Sequence, residues 1–196
     1  MKKLVMFCIA LFSICGVATC KNTFVNSLEN GVYSDHSLGF RYQFPNGMQD
    51  RTSQGREQIQ RNAAARQTNN TLELLLAMSS GQADTSEGWR ALTIETYPRR
   101  AWPNLDDFTA AARMDSVVAG SLASPTGQPR KLIYSKQEFA VTGYGQKEGT
   151  IRKHAIICTV VRKDKLLAFA FSANTIEDVQ AMAQSMKTLE FVDVTR

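Results

Sequence analysis

Side chains able to do covalent or acid–base chemistry are few in this 196-residue chain, and they are scattered. His36 and His154 are the only histidines, and neither belongs to a His-x-x-x-His pair, a Cys-x-x-Cys pair or a carboxylate cluster at metal-ligand spacing. Ala119-Gly120-Ser121-Leu122-Ala123 lacks the second glycine of a nucleophile elbow, and no glycine-rich phosphate loop is present. Cys158 lies within Ile156-Ile157-Cys158-Thr159-Val160, which suits a small buried hydrophobe; a nucleophile would want a nearby base and partial exposure. His36 reads as an exposed turn residue and His154 as a structural histidine at the start of a buried strand. The expectation is a non-enzymatic protein with no catalytic, cofactor-binding or metal-binding residue.

Met1-Lys2-Lys3, an apolar run from Leu4 to Ala18, and Thr19-Cys20 make residues 1–20 an export signal. The run falls short of the roughly 20 residues that span a bilayer, which disfavours an uncleaved anchor. Val17-Ala18-Thr19-Cys20 resembles the lipobox of bacterial lipoproteins, with Thr19 where Gly, Ala or Ser is usual. That resemblance implies that Cys20 is acylated, becomes the new amino terminus, and holds the chain in the membrane on the periplasmic side of the cell envelope. The alternative is cleavage after Ala18, which releases a soluble periplasmic protein.

Net charge is +5, and loss of Lys2 and Lys3 with the signal leaves the mature chain only mildly basic. Nucleic-acid binding needs a concentrated basic stripe, so no nucleic-acid partner is expected. The doublets Arg99-Arg100, Arg130-Lys131, Arg152-Lys153 and Arg162-Lys163 are separated by apolar segments and read as strand ends and turns. One segment has the composition of a recognition loop. Tyr97-Pro98-Arg99-Arg100-Ala101-Trp102-Pro103 places Tyr97, Arg99, Arg100 and Trp102 on a connection stiffened by prolines, and these residue types dominate binding hot spots. The competing reading folds Trp102 inward against the helix that follows.

Those residues must be held by a framework that hydropathy outlines. Residues 21–30 are polar and read as a tether, and 31–196 as a single domain. Phe40, Tyr42 and Phe44 alternate with polar neighbours, Thr71 to Met78 reads as a buried strand, and Trp89 to Tyr97 alternates again. A polar helix is expected over 53–66, and a helix capped by Asn104 with Asp115 as a flaw on its apolar side. Gly143 to Gly149 is expected to be a loose connection. In Leu166 to Ser172, Leu167, Phe169 and Phe171 point one way and Leu166, Ala168 and Ala170 the other, so a helix can come close on the small side. Thr175 and Asp178 predict a helix start. The fold class is α+β, a three-layer sandwich whose mainly antiparallel sheet lies between helices.

Tyr33, Gly39-Phe40 and Phe44-Pro45, two later strands, a helix, the long hairpin Ala155 to Ser172, and the ending Met186-Lys187-Thr188-Leu189-Glu190-Phe191 together resemble the PsbP-like family. It includes the photosystem II extrinsic subunit, the Ran-binding Mog proteins and short bacterial lipoproteins. The resemblance implies a history of binding rather than catalysis and transfers no functional residue. The expected role is an envelope lipoprotein that binds an envelope protein partner, with a periplasmic small-ligand binder or an enzyme as alternatives.

Overall fold

The computed structural model describes residues 26–66, 72–81, 88–120, 124–148 and 151–192. Residues 1–20, expected to be an export signal, and Cys20 with them, lie outside the described residues. The first strand, β1 (Ser27–Glu29), already pairs with β2 (Val32–Asp35), so the folded body begins before the tether boundary expected at residue 30. The chain continues through β3 (Phe40–Gln43), β4 (Gln49–Asp50), α1 (Thr52–Arg66), β5 (Glu73–Ser80), β6 (Arg90–Pro98) and α2 (Asp107–Ala119). Then follow β7 (Ser124–Pro125), β8 (Arg130–Tyr134), β9 (Gln137–Glu148), β10 (Ile151–Arg162), β11 (Lys165–Ala173), α3 (Ile176–Ala183) and β12 (Glu190–Phe191).

Two sheets result. The large one has strand order β4-β5-β6-β11-β10-β9-β7, with β8 also on β9; the small one runs β1-β2-β3-β12. Every pairing is antiparallel. On one face of the large sheet, Ala168 and Ala170 of β11 meet Ala110, Ala111 and Met114 of α2, the close approach that small side chains allow. On the other face Phe169 carries the main core. Its ring lies 5.3 Å from Tyr42 and 5.8 Å from Phe40, both edge-on, so the small sheet and α3 cover this side. Gly39 joins the small sheet at a tight corner: its φ is +67°, and a Cβ there would sit 2.5 Å from the Val192 carbonyl oxygen.

Helix α1 attaches by polar contacts, which explains its lack of an apolar stripe. A register shift in β5 between Leu74 and Leu76 turns carbonyls outward, and Arg56 donates to the carbonyls of Leu74 (3.0 Å) and Leu75 (3.3 Å). Two sequence expectations are corrected. Asp106, not Asn104, caps α2, because its carboxylate accepts from the Thr109 amide at 3.0 Å. Gly143 to Glu148 is not a loose connection but the second half of β9, registered residue by residue on β10; Tyr144 keeps the alternation by burying itself on the α2 face. Asp115, expected as an imperfection on the apolar side of α2, lies on that side and is fully buried.

Candidate functional site

The segment 97–103 folds as a short 3-10 turn, Arg99–Ala101, between β6 and α2. Arg99 is spent within the fold. Its Nε donates to Asp107 at 3.0 Å, and its two terminal nitrogens donate to the carbonyls of Trp102 and Leu105 at 2.5 Å each. Trp102 is half-buried, with its ring centroid 5.2 Å from that of Tyr97, and it packs against the α2-side core. Arg100 is exposed. What only the fold reveals is that the β10–β11 turn lies alongside: Pro98, Arg99, Arg100 and Asp107 share an open cleft of about 760 Å³ with Lys163, Asp164 and Lys165. Most of its cations are already engaged, Lys165 by Glu73 at 2.8 Å and Lys163 by the Ser37 carbonyl. Trp102→Ala is therefore expected to cost about 2 kcal/mol, less than the 3–5 kcal/mol of a fully buried aromatic. A thermal midpoint that does not move would show that the ring contributes nothing to folding and is available for recognition.

A second concave feature was not visible in the sequence. Between α3 and the sheet edge formed by β8, β9 and β10 lies a groove of about 380 Å³. Its floor is apolar, with Val141 and Ile156 from the sheet and Val179 and Ala183 from the helix. Arg130, Tyr134, His154, Gln180 and Gln184 supply polar groups around it. Strand alternation explains the opening. The α3-facing positions of β9 are Phe139, Val141, Gly143 and Gly145, so β9 supplies no side chain where it passes Ile156 and His154, and Thr126 lies there instead, its Oγ1 2.7 Å from where a Gly143 Cβ would sit. Leu132 and Ile176, at the rim, remain 40% and 46% exposed. The sequence signal was the pair Gly143 and Gly145 flanking Tyr144 inside an alternating strand.

Buried titratable groups lie on both faces of the sheet. Asp115 accepts hydrogen bonds from the hydroxyls of Thr142 on β9 (2.6 Å) and Thr159 on β10 (2.5 Å). Burial outweighs those two bonds and pushes its carboxyl up to about 7. Tyr144 faces the same interface, its hydroxyl 3.5 Å from Ser116, and burial raises it as well. The Cys158 thiol, on the α3 side, is completely buried and pushed far up by desolvation and then by Asp115, the state of an inert side chain. His36 lies in the β2–β3 turn and His154 at the groove, far apart on the fold.

No family model matches the chain, and no curated protein matches it in sequence. Solved structures do resemble it. CyanoP, the cyanobacterial PsbP of Synechocystis sp. PCC 6803, is similar at a TM-score of 0.52 and 13% identity, over 89% of this chain and 98% of CyanoP. A Bacteroides thetaiotaomicron protein shares 10% identity at a TM-score of 0.45; the match takes in 79% of this chain, which spans 46% of that protein. LpqN of Mycobacterium tuberculosis, a protein involved in cell envelope biogenesis, scores 0.36 at 8% identity over 64% of this chain and 80% of LpqN. The near end-to-end correspondence with CyanoP, and the antiparallel sheet between α2 on one side and α3 with the small sheet on the other, give this chain the PsbP-like fold.

Proposed function

We propose that this chain is an exported binding module, held at the periplasmic side of the cell envelope by a lipid on Cys20, that captures a partner rather than transforming one. The observation that carries this reading is the groove between α3 and β8–β10, where apolar floor and polar walls converge as in ligand and partner sites. Chain direction supports it. Ser27 pairs with Ser34, so the chain enters β1 beside the β2–β3 turn, the turn that Arg162 and Lys163 hold by hydrogen bonds to Leu38 and Ser37. His154 lies eight residues back along β10, about 26 Å away at strand rise. A tether preceding Asn26 thus offers the His154 end of the groove away from the membrane.

Two measurements test the reading separately. Cys20→Ala should shift the protein from the membrane fraction to the soluble envelope fraction; unchanged, membrane-bound protein would remove the lipid from the proposal. A photo-crosslinking amino acid at Gln180, in the groove, should yield a mass-shifted adduct in intact cells, whereas one at Lys187, outside it, should not. Absence of any adduct at Gln180 would sink the binding role of the groove.

A further inference from the structure

We infer that the groove takes a small amphipathic anion, whose acidic head is received by Arg130 and whose apolar body lies against Ile156, Leu132 and Ile176 on the way toward His154. This rests on the reading of the groove as the binding site. Three features of its lining carry it. The first is charge. Arg130 brings a positive charge, and among the described residues no carboxylate lines the groove. Neighbouring cations are partnered: Lys131, one residue on and on the opposite face of β8, binds Glu138 at 2.8 Å and lies 4.7 Å over the Phe108 ring. Arg130 has no such partner among the described residues and turns to the groove side, opposite Val141. A guanidinium offers a planar fork that matches a carboxylate or phosphate head.

The second feature is hydrophobicity. Val141, Val179 and Ala183 are buried beneath the groove, and above them half-buried Ile156 with Leu132 and Ile176, 40% and 46% exposed, offers apolar surface that a purely ionic ligand would leave wet. The third is size. A volume of about 380 Å³ is near the lower end of small-molecule sites, too small for a folded partner to enter. Arg130 and His154 stand two strands apart and four residues out of step, since Arg130 pairs with Val141 and His154 with Gly145. Strand geometry puts their Cα atoms roughly 16 Å apart, so the ligand is elongated, with one head and one body.

The test is isothermal titration of the mature chain in lipid nanodiscs, against empty nanodiscs, with 3-phenylpropionate, 3-phenylpropyl phosphate, 3-phenylpropanol and 3-phenylpropylamine. One or both anions should bind at least tenfold more tightly than the alcohol, and the amine should bind least. The stronger anion identifies the head as carboxylate or phosphate. Arg130→Gln should bring the anions down to the level of the alcohol, while Lys131→Gln, on the other face of β8, should leave them unchanged; melting curves confirm that both variants fold. Equal binding of anion and alcohol, or an anion preference that survives Arg130→Gln, overturns the inference. So does failure of every probe to bind. An adduct from the Gln180 cross-linker would then show that the groove binds something else, leaving the binding role intact and only the anion assignment lost.

Discussion

Asp115→Asn is expected to stabilise the protein by about 4 kcal/mol at pH 8 and to leave it nearly unchanged below pH 4. The wild-type carboxyl is fully buried between α2 and the sheet, with two threonine hydroxyls as donors. Tyr144 is the titratable group that shares this interface, and Cys158 is the other one coupled to it. Desolvation lifts the carboxyl from an ordinary 3.8 to about 7. Between those values the folded state holds a proton that the unfolded state has lost, so stability falls as pH rises across that window and levels off above it. At about 1.4 kcal/mol for each decade, the full cost is about 4 kcal/mol. Asparagine keeps the shape, remains able to bond both hydroxyls, and cannot ionise. Urea titrations of wild type and variant at pH 4 and pH 8 check the result. A variant less stable than wild type at pH 8 would mean that the ionised carboxylate is the stabilising form, held by its threonines more strongly than burial opposes it.

Phe169→Ala should destabilise the fold by about 3–5 kcal/mol, the usual cost of emptying a buried aromatic site. Phe169 is fully buried on β11, in the middle of the large sheet, and its ring meets Phe40 and Tyr42 of the small sheet and Phe139 of β9, the last at 6.5 Å. Tyr42, one of these neighbours, is held from collapsing into the space by a 2.5 Å hydrogen bond to Ser185. For a chain of this size the midpoint should drop by roughly 6–20 °C. A loss under 1 kcal/mol would indicate that the small sheet does not depend on the ring for its seat on the large one.

How far the fold was legible follows from the range of the interactions involved. The two faces of β11 could be read directly, since alternation is a property of neighbouring residues: Phe169 went to one core and Ala168 to the other. The α3 start was legible for the same reason. Thr175 both accepts from the Asp178 amide at 3.1 Å and donates to its carboxylate at 2.8 Å, a contact three residues long. Misplacement of the α2 cap shows the limit of local rules, because Asn104 and Asp106 are both good caps and the splint from Arg99 to the Leu105 carbonyl lies between them.

Sequence alone determined that strands with one aromatic and one small face must be sandwiched between layers, and it is the source of the expectation that residues 1–20 are an export signal with a lipid site at Cys20. Each of these is written in a contiguous segment. Tertiary structure decided what the polar residues do. Asp115 meets Thr142 and Thr159, 27 and 44 residues away, and only that encounter makes it a buried acid rather than a surface one. The groove draws Arg130, Gly143, His154 and Gln180 from four separate elements. A side chain's hydropathy reports which way it tends to face, whereas its chemistry depends on the dielectric and the donors that distant segments bring to it, and no local pattern records those.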